Sequence, residues 1–362
     1  EKSTLSKTYS VQHYYGVFTL SLIMITQLQL IYQHMSNNNT HNVKLQPENR
    51  VLLIYDQDSE LGRCLAQTYT KVIESYSHQV ILFDPAKAEE LKDTLFALQP
   101  RDCVILVQTT NFRLSEFRIR MELNARGIIV IDHNHLDLIT AEQIPSYLQA
   151  LTYDYDRYKK ICDHSTPLLQ KAQTVTIVSK DGSQMNYISP LDKIYYNIGE
   201  LHETLGSFYP IGEFFSEPCD LTKVNGTFLV YAYPSVNHDT IIANQPFHVQ
   251  VQNGSIISHD GPDRFEQIMQ LVREENNDNR VPIREMGFGL NLCIGKHSVF
   301  GYVGAHERQC GFHVSIGLKH GIYRKKIPHE LNQRYHIDMF IDVEKIVVDD
   351  IVIFENGDYK SA

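Results

Sequence analysis

Val51-Leu52-Leu53-Ile54-Tyr55-Asp56-Gln57-Asp58-Ser59 (VLLIYDQDS) sets a short apolar run against an abrupt polar break. An apolar run without alternation reads as a strand covered on both faces, the kind found in a parallel sheet packed between helices. A helical pattern follows from about Ser59 to Tyr76. Val80–Phe83, Val104–Val107 and Ile128–Ile131 are further apolar runs of strand length, and Lys87–Leu98 reads as a helix among them. Strands alternating with helices predict a parallel α/β unit. After the first strand stands Asp56-Gln57-Asp58-Ser59 and not G-x-G-x-x-G, so a dinucleotide cofactor is not supported.

Downstream, residues 141–172 read as mainly helical, and the texture changes from Thr174. Strand-like runs now end at turn signals: Thr174–Ser179 before Asp181-Gly182, Thr227–Tyr233 before Pro234, and Phe247–Val251 before Asn253-Gly254. One helix is expected at about Asp263–Glu275. The fold class is therefore α/β: an N-terminal α/β domain with a mostly parallel sheet over 45–172, then a β-rich α+β domain carrying a metal site over 173–362. No internal repeat is visible.

Upstream, residues 1–44 are expected to hold a helix and a polar break, SNNNTHN at 36–42. Gly16–Tyr32 is mostly apolar and follows Lys2 and Lys7, in the manner of a signal peptide or membrane anchor. Thr19, Ser21, Thr26, Gln27 and Gln29 interrupt it, and its length is the minimum for a span. Thr19, Thr26 and Gln33 recur every seven positions as a polar stripe, so an amphipathic or buried helix is expected, with a membrane or export segment as the alternative.

The formal net charge of the 362-residue chain is −10, which excludes a general nucleic-acid binder relying on a basic face. Six scattered cysteines include no C-x-x-C pair, which fits reduced thiols in a cytoplasmic protein and excludes a zinc knuckle. Any metal would be held by oxygen and imidazole.

The chemistry-bearing residues gather after position 205 in four segments: Pro210–Pro218 around Glu213, Arg284–Asn291 with Glu285 before Gly287-Phe288-Gly289, His306–Gly317 with Glu307 and His313, and Arg334–Met339 with His336 and Asp338. On a strand, residues two apart face the same way, so His336 and Asp338 can grip one ion together. Histidines with carboxylates suit zinc, manganese, cobalt or iron alike. Extra glutamates would let two ions share bridging carboxylates, a common arrangement for hydrolysis.

In this order the segments resemble the thermophilic-type metallo-aminopeptidases, the family of aminopeptidases T and S. Pro210–Phe215, Gly226-Thr227, Glu285–Asn291, Glu307 with His313–Gly317, and His336–Phe340 carry the resemblance, which covers about residues 170–360. It implies a two-domain homodimer acting on a peptide substrate, with Glu213, Glu285, Glu307, His313, His336 and Asp338 as ligands of two zinc, manganese or cobalt ions. Glu213 or Glu285 would serve as general base. The family's oxyanion-binding tyrosine would fall on His320 here, with Tyr323 the nearest phenol, and Glu307 precedes His313 by six positions where five are expected. Two rivals share the scaffold: a dioxygenase holding one iron(II) by His313, His336 and Asp338, and an inactive peptide-binding protein.

Overall fold

The computed structural model describes residues 29–37, 43–112, 114, 119–200, 206–237, 239–276, 278–319 and 335–361. The first apolar runs form strands β1 (Arg50–Tyr55), β2 (Ser77–Leu82), β3 (Cys103–Val107) and β4 (Ile129–His133). They lie parallel in the order β2-β1-β3-β4. β3 and β4 are buried along their whole length, whereas β2 is largely exposed at the sheet edge. Helices Glu60–Val72, Ala88–Phe96 and Ile119–Ala125 make the crossovers. Ser59 caps the first, its Oγ accepting the Gly62 amide at 3.0 Å, which is why the helix starts where the polar break stands.

After helices Ile144–Leu151 and Tyr155–Lys171 the chain enters a second sheet, as the change of texture at Thr174 predicts. Its strands are β5 (Val175–Ser179), β6 (Gln184–Tyr187), β7 (Tyr195–Asn197), β9 (Glu213–Ser216), β10 (Val224–Pro234), β11 (Thr240–Gln252), β12 (Ser255–His259), β13 (Ile283–Gly289), β14 (Gly311–Gly317), β15 (His336–Ile341), β16 (Val343–Val348), β17 (Ile351–Glu355) and β18 (Asp358–Tyr359). The order is β18-β17-β16-β5-β6-β10-β15-β14-β13-β9-β7, with β11 and β12 branching from β10. Neighbouring strands run antiparallel, including the core run β15-β14-β13-β9. The expected late helix is present at Asp263–Glu274.

The two halves are interleaved rather than joined once near residue 173. Strand β8 (Gly206–Phe208) leaves the second half and pairs parallel with β4 as the fifth strand of the first sheet. Four residues after it the chain is back in the second sheet as β9, with Glu213 at its start.

Most of the apolar segment Gly16–Tyr32 lies outside the described residues. Residues 29–37 are helical, with Ile31, His34 and Met35 buried. His34 Nδ1 lies 2.9 Å from the Leu151 carbonyl and Asn37 donates to that of Thr152 at 2.8 Å, so this helix is fastened to the second helical layer. No described helix is long and apolar enough to cross a membrane.

Candidate metal centre

Strand register builds the site. Gly289 stands opposite Glu213, Gly287 opposite His313, Ser315 opposite Asp338 and Gly317 opposite His336. Opposed residues and residues two apart share a sheet face, so β9, β13, β14 and β15 aim Glu213, Glu285, His313, His336 and Asp338 to one side. Ser315 completes the row, its Oγ accepting the Glu285 amide at 2.9 Å. Glycine at 287 leaves the room that the imidazole fills: a Cβ there would lie 1.9 Å from His313 Nε2.

On this face Glu285, His313 and Asp338 are buried, and one potential ligand atom from each falls within 4.8 Å of the other two. Glu285 Oε2, His313 Nδ1 and Asp338 Oδ1 are all buried without a hydrogen-bond partner. Buried polar atoms left unpaired on three neighbouring side chains are costly unless something satisfies them. His336 adjoins the group, its Nε2 3.5 Å from Asp338 Oδ1. Its Nδ1 lies 3.0 Å from the Leu318 carbonyl. A proton on Nδ1 leaves the Nε2 lone pair turned to the site, the second-shell arrangement usual for a metal-binding histidine.

The ionisation of these groups reflects crowding. Burial pushes His313 down, but contact with Glu285 and the charges of Asp338 and Glu213 outweigh it and raise it. Burial opposes charge on His336 too, yet Asp338 lifts it to about 10. Burial would raise Asp338, but His336 and His313 hold it well below the usual carboxylate range. A cation bound here would take over the pairing that these imidazoliums supply.

Glu213 and Glu307 have a different partner. The buried Arg308 guanidinium donates through Nη1 to Glu213 Oε2 at 2.8 Å and to Glu307 Oε2 at 2.5 Å. Burial nevertheless raises Glu213, and burial together with the charge of Asp338 carries Glu307 up to about 8, with Arg308 pulling both the other way. Of the six expected ligands, Glu285, His313 and Asp338 converge with His336 beside them, while Glu213 and Glu307 both meet Arg308. A fixed positive charge stands between Glu213 and Glu307, where a second ion would need both carboxylates. Arg308 carried no role in the sequence reading; the only signal was its place beside Glu307 in a buried segment. Tyr323 and His320 lie outside the described residues.

Beside the ligand group opens a cavity of about 200 Å³, lined by Tyr302, Glu307, Tyr335, His336 and Asp338 and, on its apolar side, by Ile268, Leu271 and Ile337.

No family model and no curated protein matches the chain. Among solved structures it is similar to the 2,5-dihydroxypyridine dioxygenase of Pseudomonas putida KT2440, with a TM-score of 0.60 and 14% identity over 94% of this chain and 98% of that one. That likeness is one of fold, and it is to a dioxygenase. It overturns the reading as an aminopeptidase, metallopeptidase or other hydrolase.

Proposed function

We propose that the chain is a mononuclear non-haem iron dioxygenase acting on a dihydroxylated aromatic ring. The observation that carries this reading is the convergence of ligand atoms from the buried side chains of Glu285, His313 and Asp338, each of which also holds a buried polar atom without a hydrogen-bond partner, on a fold like that of a dioxygenase. The donor set fits iron(II): two imidazoles, counting His336, with carboxylate oxygen match the histidine–carboxylate chemistry of such centres. Glu285, His313 and Asp338 would hold the ion, with His336 as the further donor. When bound, iron(II) supplies the redox chemistry through which dioxygen reacts with an electron-rich ring.

The remaining residues shape and charge the site. Arg308 neutralises Glu213 and Glu307, so these carboxylates are not available to draw in a second ion. Glu307, whose carboxyl burial and Asp338 push up against the pull of Arg308, stands at the cavity wall, where it can exchange a proton with a ring hydroxyl. The cavity, at about 200 Å³, is smaller than the roughly 300–1,000 Å³ of sites for drug-sized ligands. That size suits a single substituted ring better than a peptide. Its apolar wall excludes water from the ring face.

The test is anaerobic loading with iron(II), elemental analysis, and oxygen uptake with 2,5-dihydroxypyridine and related diols. One iron per chain with ring-dependent oxygen consumption is expected. Failure to bind iron, or binding without oxygen uptake across the diols, would overturn the proposal.

A further inference from the structure

Tyr302 lines the cavity beside the ligand group, on a wall it shares with Gly304, Glu307, His336 and Asp338. Its backbone is tied to the second sheet through a bridge to Asp239, and the Gly301 carbonyl before it accepts the Thr240 amide at 2.7 Å. Its ring packs on His135, 4.8 Å between centroids. His135 lies just past β4, at the carboxyl end of the parallel sheet, where open α/β folds hold ligands. A glycine seats the tip of the phenol: a Cβ at Gly304 would lie 2.7 Å from both Cζ and the hydroxyl oxygen of Tyr302. Any larger residue at 304 would push the hydroxyl from this place on the cavity wall.

The neighbours of the hydroxyl leave it a donor. Burial and the charge of Glu307 raise the phenol above its usual value, so it keeps its proton, while the Asn134 amide approaches the oxygen and acts the other way. Asn134 is buried beside His135. It donates to Asn111 Oδ1 at 3.4 Å, and Asn111 Nδ2 lies 2.7 Å from His135 Nε2. An amide that addresses the phenol oxygen leaves the O–H free to donate elsewhere, and among the described residues nothing accepts from it. A ring hydroxyl has one proton to give and lone pairs to receive. Glu307 offers it an acceptor at the cavity wall and Tyr302 a donor, so the two together can satisfy one such group.

Resting on the dioxygenase reading, we propose that Tyr302 is a specificity-determining residue of this site: its hydroxyl, seated by Gly304 and steered by Asn134, donates a hydrogen bond to a ring hydroxyl of the substrate. The first sheet thereby takes part in recognition, through Asn134 and His135, although the candidate ligands all come from the second.

The test is anaerobic calorimetric titration of the iron-loaded chain with 2,5-dihydroxypyridine and with pyridine, which lacks both hydroxyls. Tyr302→Phe removes one oxygen and keeps the ring against His135. It is expected to weaken the diol about tenfold, the upper range for one neutral hydrogen bond, and to leave pyridine affinity and iron content unchanged. Gly304→Ala, which displaces the phenol without removing it, should weaken the diol by a similar factor, and Asn134→Ala by less. Undiminished diol affinity in Tyr302→Phe, an equal loss for both rings, or a loss of iron overturns this inference and leaves the dioxygenase reading standing. Failure of the unsubstituted, iron-loaded chain to bind the diol overturns both.

Discussion

Arg308 donates to Glu213 across 2.8 Å inside the buried face of the second sheet. The same Nη1 reaches Glu307, so one side chain compensates two carboxylates that would otherwise call for a metal ion. Removing a single partner from a buried charge group costs about 3–5 kcal/mol. Arg308→Met should therefore lower stability by about that amount in urea unfolding. Glu213→Gln, which removes one of the two negative charges, should cost clearly less. Equal losses would show that Arg308 acts through packing and not through charge.

Metal stoichiometry follows from the same pairing. The chain should bind one iron(II) tightly and show no second tight site in zinc or manganese titrations. Asp338→Asn and His313→Ala should each lose bound iron while keeping the far-ultraviolet circular dichroism of the parent. His336→Ala should weaken iron by at least the roughly 10–100-fold that outer-shell changes cost. Two ions per chain at micromolar metal would refute the assignment of Arg308 as the resident second cation.

Gly287 offers a steric test. An alanine Cβ would stand 1.9 Å from His313 Nε2, so the imidazole must move. Gly287→Ala should reduce iron affinity by at least about tenfold, because ligand geometry tolerates displacements of only a few tenths of an ångström. Ser315→Ala, on the same face, removes only the acceptor for the Glu285 amide. It should cost stability by about 1–3 kcal/mol through that unsatisfied amide and affect iron less.

Acid should loosen the fold through buried histidines that are not assigned to the iron. His34 is lowered to about 4 and His306 to about 3, both chiefly by burial. Burial likewise holds His133 well below 6.5, between Tyr69 and Tyr147. In the unfolded chain each takes up a proton near pH 6.5, whereas the folded chain binds it only at lower pH. Their contribution is thus full above about 6.5 and is lost as pH falls towards the folded values. For His34 about 2 kcal/mol should be gone by pH 5. His34→Gln should show a flatter decline of urea midpoint between pH 7.5 and 5, and an unchanged decline would contradict the linkage.

The first sheet was legible because β1, β3 and β4 are buried on both faces: VLLIY and its successors need no partner information to be recognised, and Ser59 marks the first helix start in one residue. The row His313, His336, Asp338 was legible for a similar reason, since a period of two projects it onto one face. The grouping of carboxylates was not. Whether Glu213 faces an ion or an arginine depends on a contact across 95 positions, and nothing local distinguishes the two. β8 escaped notice because three residues, Gly206–Phe208, are too few to carry a periodicity.

The return of β8 to the first sheet has a consequence for synthesis on the ribosome. Four strands of the parallel sheet can assemble as the first 133 residues emerge, but β4 keeps an open edge until Gly206–Phe208 appears. Contacts of such long sequence separation form late. By then the chain has already made the helix Tyr155–Lys171 and begun the second sheet with β5, β6 and β7. Closing the first half and placing Glu213 are thus one event. A nascent chain truncated before residue 206 would carry an unpaired apolar strand edge of the kind that chaperones hold and aggregates recruit.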